Sequence, residues 1–155
     1  MKDFDIKIKG SCEARIFGTG EETMVLPCNA KIDTARDKGD ITTDTKEVKI
    51  GLPSCAEKVE IAATGSDITI ESLKFETLEI DAGEKITIRL IDTEGKIDIN
   101  MVGGEATLIV PEGYTFTTSV KGKNNKVECS LEEDVTSGNC IEINGKDSAL
   151  KIIRA

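Results

Sequence analysis

The sequence predicts an all-β protein, organised as a single-stranded β-helix or β-solenoid-like array of short strands with capping strands. Three observations lead to this prediction. Apolar and polar residues alternate in many short segments, glycines precede several of these segments, and little of the chain has helical periodicity. At 155 residues the chain is long enough to bury a core without disulfides or metals as staples.

Alternating segments fill the middle of the chain and resume near its end. Each places aliphatic side chains on one face and Thr, Glu, Lys or Asp on the other, which is typical of a strand with one buried face. The central segments are Val48–Ile50, Val59–Ile61, Ile68–Ile70, Leu78–Ile80, Ile86–Leu90 and Ile97–Ile99. The later ones are Tyr114–Val120, Val127–Leu131 and Leu150–Ile152.

Glycines recur in front of these segments at unequal spacing, which indicates a degenerate array. Corners between strands often need positive φ or a close backbone approach, which favours glycine. The repeat glycines are Gly39, Gly65, Gly83, Gly95, Gly104 and, in a weaker copy, Gly138.

Two architectures would bury such one-faced strands: coils stacked into a solenoid, or an antiparallel β-sandwich of hairpins. Periodicity alone does not separate them. Asn144-Gly145 is the one dipeptide of the hairpin type, so the middle of the chain favours coils and the C-terminus a hairpin.

The domain prediction is one all-β domain over residues 1–155. We expect residues 1–35 to form an N-terminal cap, because they lack the glycine repeat and exposed solenoid ends promote aggregation. Residues 36–110 form the repeat array. Residues 111–155 form a separate C-terminal strand group after Pro111.

Charge and hydropathy limit the partners and the location. The chain has 20 basic and 29 acidic residues, so its net charge of −9 disfavours nucleic acid. No apolar run is long enough to span a membrane, so we expect no membrane insertion, and residues 1–10 do not form a signal-peptide core. We expect a cytoplasmic protein if Met1 is the native start, and a cell-surface protein if an export signal has been removed.

Five cysteines make an odd number, and their spacing fits neither a disulfide framework nor a zinc site. We expect reduced thiols that act as small core residues at Cys12, Cys28, Cys55, Cys129 and Cys140. The alternative is a bond between Cys129 and Cys140, which requires their strands to be neighbours.

The residue types predict no catalytic, cofactor or metal site and no enzyme. The chain has no histidine, which removes the commonest general base and metal ligand. Asp67, Asp81, Asp92 and Asp98 are interpreted as a solvated exterior, with nothing to indicate burial that would raise a pKa. Residues 132–134 lack calcium-loop spacing, so we expect weak binding at most. The few aromatic residues are expected in the core or caps.

A packing pattern points to a family. Ile61, Gly65, Ile68, Ile70 and Leu73 begin a succession that recurs through Ile99 and is followed by Val110-Pro111-Glu112-Gly113-Tyr114. This succession resembles the bacterial putative-adhesin family, a β-helix-like domain of unknown function, over residues 31–155.

The resemblance implies a non-enzymatic binding or structural module with an unknown protein or glycan partner. One alternative is an intracellular bactofilin-like scaffold that forms homo-oligomers through open solenoid ends. A third hypothesis is a carbohydrate-active enzyme that uses paired carboxylates on a β-helix.

Overall fold

The computed structural model describes residues 2–10, 12–34, 38–43, 47–63, 65–82, 84–91 and 95–155. These residues form fifteen strands and no helix. The strands are β1 (Asp3–Ile8), β2 (Glu13–Gly18), β3 (Lys31–Asp33), β4 (Lys38–Thr43), β5 (Glu47–Leu52), β6 (Lys58–Ala63), β7 (Asp67–Glu71), β8 (Thr77–Ala82), β9 (Lys85–Arg89), β10 (Lys96–Val102), β11 (Glu105–Val110), β12 (Thr117–Val120), β13 (Lys126–Cys129), β14 (Cys140–Lys146) and β15 (Ala149–Arg154).

The strands form two sheets, which we call sheet A and sheet B. Sheet A has the order β12-β14-β10-β8-β6-β1-β4-β3, and sheet B has the order β13-β15-β11-β9-β7-β2-β5. Within the described ranges every strand pair is parallel except β3–β4. Parallel pairing confirms the solenoid-like array and rules out the antiparallel sandwich, because hairpin connections produce antiparallel neighbours.

One strand of sheet A followed by one strand of sheet B makes a coil, and seven coils stack on one another. The order of the stack differs from the order of the chain. The first coil, β1–β2, lies between β4–β5 and β6–β7, and the last coil, β14–β15, lies between β10–β11 and β12–β13. Both terminal coils are therefore paired on both sides.

The core lies between the sheets and is almost entirely aliphatic. The alternating pattern turns every second residue inward, so Ile6, Ile16, Ile80 and Ile143 are fully buried, as are their equivalents in other coils. Phe116 is also fully buried and stacks against Tyr114, with ring centroids 6.1 Å apart. The predicted strands are thus confirmed, and their apolar faces form one continuous core.

Corners between the coils are joined by hydrogen bonds that cross from layer to layer. Asn139 is the clearest example: its Nδ2 donates to the Thr115 carbonyl at 2.8 Å, and its Oδ1 accepts from the Gly95 N–H at 2.8 Å. Asn139 is 7% exposed, so these bonds satisfy a side chain that water barely reaches. They fix the last coil against its two neighbours.

Further segments of the chain pack at both ends of the stack. At one end β3 adds to sheet A as an antiparallel strand, and Met24, Leu26 and Ala30 pack against the core. At the other end the Asp134 N–H donates to the Phe116 carbonyl, and the Glu133 carboxylate accepts from the N–H and hydroxyl of Thr118. These contacts occupy backbone groups that an open sheet edge would offer to another chain.

The terminal strands differ from the expected division of the chain. In residues 1–35, only the part after β2 covers an end of the stack, because β1 and β2 pair on both sides. Residues 111–155 do not form a separate strand group, because β14 and β15 pair with β10 and β11. Length and glycine pattern do not encode which coil lies beside which.

The predicted C-terminal hairpin is wrong. Asn144 and Gly145 lie inside β14, and the chain then crosses from sheet A to sheet B. Gly145 has φ +131, and a Cβ on it would come within 1.9 Å of the Met101 carbonyl oxygen. Glycine is required here for close strand packing.

The repeat glycines have different environments. Gly95 has φ +153, and a Cβ there would approach the Glu76 carbonyl oxygen to 2.3 Å, whereas Gly138 has open space around it. Gly83 lies outside the described residues. Close packing therefore explains part of the repeat only.

The cysteine prediction is corrected in two respects. Cys28 and Cys55 are exposed, so they are not core residues, whereas Cys12 and Cys129 pack partly against the core. Cys129 lies on β13 in sheet B and Cys140 on β14 in sheet A, so their strands are not neighbours. None of the five cysteines forms a disulfide bond, and all five lie in the described part of the chain.

Candidate binding site

A groove of ≈ 780 Å³ lies on the outer face of sheet B. Its floor spans four neighbouring strands in the order β5, β2, β7, β9. Two rows of outward side chains line it. The first row is Glu47, Glu13, Asp67 and Lys85, and the second is Lys49, Arg15, Thr69 and Thr87.

The register explains why these residues form straight rows. Glu13 is paired with Glu47 on one side and with Asp67 on the other, and Arg15 is paired with Lys49 and Thr69 in the same way. Parallel strands without a register shift place equivalent side chains about 4.8 Å apart. The two rows belong to positions two residues apart, so they run side by side across the sheet.

A short segment, Val25 to Cys28, forms the wall of the groove beside β5. Val25 exchanges two backbone hydrogen bonds with Gly51 on the outer edge of β5, at 3.0 and 2.8 Å. Proline has no N–H, so Pro27 cannot continue this antiparallel pairing towards Lys49. The segment turns instead, with the Ala30 N–H donating to the Pro27 carbonyl at 3.0 Å.

Phe17 orients two cations of the second row. Its ring lies over Gly51, where a Cβ would come within 2.8 Å of the ring. The Arg15 guanidinium carbon is 5.8 Å and the Lys49 Nζ is 5.6 Å from the ring centroid, which is within cation–π range. Arg15 also donates to Glu71 at 2.9 Å.

Several charged groups of the groove have no ion-pair partner among the residues that the structure describes. Glu13, Lys49, Asp67 and Lys85 make no ion pair with any residue in the described part of the chain. Their hydrogen-bonding capacity is available to a ligand.

The outer face of sheet A carries a second charged feature, which we call the acidic ladder. Seven carboxylate side chains lie in register on seven consecutive strands: Asp33, Asp40, Asp5, Glu60, Glu79, Asp98 and Glu142. Lysines offset part of this charge, with Lys58 3.0 Å from Glu60 and Lys121 2.8 Å from Glu142.

Asp98 is the perturbed member of the acidic ladder. Burial raises its pKa above the ordinary value, and the neighbouring Glu142 and Glu79 carboxylates raise it further. The expectation that no carboxylate is buried enough to shift is therefore wrong for Asp98. The hydrogen bond from Lys121 lowers the pKa of Glu142.

The other acidic residues singled out in the sequence are dispersed. Asp67 lies in the groove on sheet B, and Asp81 is exposed on β8 in sheet A. Asp92 lies outside the described residues. In the 132–134 segment, Glu133 binds Thr118 and Asp134 binds Thr136, whose hydrogen bonds lower the pKa of Asp134. No cluster of three or more metal-ligating side chains is found among the described residues.

Apart from Asp67 and Cys28, the groove residues were not singled out from the sequence. Arg15, Lys49, Thr69 and Thr87 occupy ordinary outward positions of alternating segments. Their grouping depends on β2 lying between β5 and β7, and local periodicity carries no signal for that order.

The fold and the groove define the class as a parallel β-solenoid-like protein with a polar groove on one sheet. A similar solved structure is the crystal structure of a putative cell adhesion protein from Clostridium sporogenes, with a TM-score of 0.63 and 15% sequence identity. The match covers 99% of this chain and 93% of that chain. At this identity the likeness concerns the fold.

No protein-family model matches the chain, and no curated protein is significantly similar to it. Membership of the adhesin family therefore stays a prediction. No helix in the described residues is long and apolar enough to cross a membrane.

Proposed function

We propose that this chain is a non-enzymatic, adhesin-like binding module whose binding surface is the groove on sheet B. The observation that carries the proposal is a groove built on four neighbouring strands of sheet B, in which several charged side chains make no ion pair within the described residues. Side chains on paired strands are held more firmly than side chains on loops, which favours a preformed site.

The similar fold of the Clostridium sporogenes putative cell adhesion protein supports this class of function. Membership of the bacterial putative-adhesin family, including the surface location that its name suggests, is part of the same proposal.

The scaffold hypothesis has less support. Stacking of chains end to end needs free strand edges, whereas the Glu133–Asp134 segment occupies backbone groups on the outer edge of β12 in sheet A. The enzyme hypothesis also has less support. Asp98 and Glu142 are carboxylates on paired positions with shifted pKa values, but they lie on the sheet opposite to the groove.

Binding to a panel of immobilised surfaces tests the proposal. The panel contains gastric mucin, collagen, fibronectin, and neutral and acidic polysaccharides, and binding is measured by surface plasmon resonance. Thr69→Trp fills the floor of the groove, and Thr77→Trp makes the same change at a half-buried outward position of sheet A.

We expect the chain to bind at least one surface, with a loss of at least tenfold for Thr69→Trp and none for Thr77→Trp. Equal binding by the two variants, or no binding to any surface, would contradict the proposal. Circular dichroism of both variants confirms that they are folded.

A further inference from the structure

We propose that the groove on sheet B binds a neutral, extended, β-linked oligosaccharide, with one sugar ring over each of its four strands. The inference rests on the proposed function, because it assigns a ligand class to the same groove. Three properties of the groove support it: its charge balance, its unused hydrogen-bonding groups and its straight register.

Charge balance selects against strongly charged ligands. The lining carries three acidic and three basic side chains, which are Glu13, Glu47, Asp67, Arg15, Lys49 and Lys85. A polyanion would meet as many repulsive groups as attractive ones, and so would a polycation. A ligand without net charge avoids this repulsion.

The groove side chains that make no ion pair in the described chain can form hydrogen bonds with sugar hydroxyls. A sugar hydroxyl can donate to the Glu13 or Asp67 carboxylate and accept from the Lys49 or Lys85 ammonium, none of which makes an ion pair in the described chain. Such charge-assisted hydrogen bonds are the stronger kind. The Glu13 and Asp67 acceptors lie in the first row and the Lys49 donor lies in the second, so one ring can engage both rows through hydroxyls on its two sides.

The register favours a straight polymer. Both rows continue without a shift from β5 through β2 and β7 to β9. The repeat of about 4.8 Å between strands is close to the advance of an extended β-linked glycan per ring. The Val25–Cys28 wall closes the groove at β5, so four strands accommodate four rings.

Nuclear magnetic resonance titration of the ¹⁵N-labelled full chain tests the ligand class. The probes are cellotetraose, cellobiose, maltotetraose, whose linkage makes a curved chain, and tetragalacturonic acid, which is extended and anionic. The same titrations are performed on Thr69→Trp and Thr77→Trp.

We expect cellotetraose to shift the amide signals of residues 13–15, 47–49, 67–69 and 85–87. We also expect it to bind at least tenfold more tightly than cellobiose and maltotetraose. Thr69→Trp should weaken it at least tenfold, and Thr77→Trp should not. Tetragalacturonic acid should bind no more tightly than cellotetraose.

Two results would overturn the inference. Tenfold tighter binding of tetragalacturonic acid would show that the groove selects anions. Absence of cellotetraose binding, while Thr69→Trp still abolishes binding to a surface in the panel, would reject the ligand class and leave the proposed function standing. If Thr69→Trp also has no effect on the panel, the proposed function fails as well.

Discussion

The carboxyl group of Asp98 lies in an electrostatically unfavourable environment that results from the regular register of sheet A. In-register pairing places it between Glu79 and Glu142, and its Oδ1 is buried without a hydrogen-bond partner among the described residues. Since burial and both neighbours favour the protonated form, the pKa of Asp98 is raised. Its charged form therefore costs stability at neutral pH.

Asp98→Asn should stabilise the protein at pH 7. Because the pKa of Asp98 is raised on folding, the folded state binds more protons than the unfolded state between the two pKa values. The free energy of unfolding therefore falls as pH rises from the unfolded pKa through the folded pKa. This loss of stability persists at neutral pH. Asparagine carries no charge and avoids this loss. We expect a rise in Tm of about 2 °C, which corresponds to about 0.5–1 kcal/mol in a chain of this length.

Calorimetry at two pH values distinguishes a rise in Tm caused by removal of the Asp98 charge from a rise caused by better packing. Below the ordinary aspartate pKa of about 3.9 both states are protonated, so the advantage of Asp98→Asn should disappear. Asp81→Asn, at an exposed position of the same sheet, is the matched control and should change Tm little at either pH. Destabilisation by Asp98→Asn at pH 7 would show that the carboxylate is a net stabilising group.

Gly145 should tolerate no side chain. Its φ of +131 is unfavourable for other residues, and a Cβ would overlap the Met101 carbonyl oxygen of the paired strand. We expect Gly145→Ala to cost about 3 kcal/mol and to lower Tm by about 10 °C. Gly138→Ala, at a position with open space, should lower Tm by less than about 2 °C. Similar thermal curves for the two variants would contradict the strand packing described here.

At the scale of elements, the terminal coils are the least expected feature. Strands near chain termini usually fray. Here β1–β2 and β14–β15 each have a coil above and below, and Asn139 links the last coil to its neighbours.

Hydrogen exchange should reveal this arrangement. Amides of β1, β2, β14 and β15 should exchange as slowly as those of β8 and β9 in the middle of the stack, because opening them requires separation of two sheet contacts. The edge strands β3 and β13 should exchange at least tenfold faster. Rapid exchange in β1 or β15 would indicate that the terminal coils lie at the ends of the stack.

The sequence was sufficient to predict each element and its buried face but not the neighbours of each element. Ile61, Ile80 and Ile99 occupy the same position in successive coils, so their alternation predicts the strands correctly. For the same reason any coil could pair with any other in register. The stack order depends on connections that cross over a coil, such as the turn from Leu52 to Lys58, whose Glu57 N–H donates to the Lys2 carbonyl.

At the scale of the whole molecule, the two outer faces have different chemistry. Sheet A presents the acidic ladder, whereas the groove on sheet B presents equal numbers of acidic and basic side chains. The net charge of −9 gave no sign of this division. The groove could not be predicted because it requires the strand order β5-β2-β7-β9, which brings residues 13–15 between residues 47–49 and 67–69.

Lysine footprinting of the chain bound to a partner surface tests the central claim that the groove is the binding surface. Acetylation rates are measured by mass spectrometry for the free chain and for the chain bound to the tightest surface in the panel. We expect strong protection of Lys49 and Lys85, which line the groove, and unchanged rates at Lys126 and Lys151 near the other end of sheet B. Protection of Lys121 or of Lys58 on sheet A, with Lys49 and Lys85 unprotected, would contradict this claim.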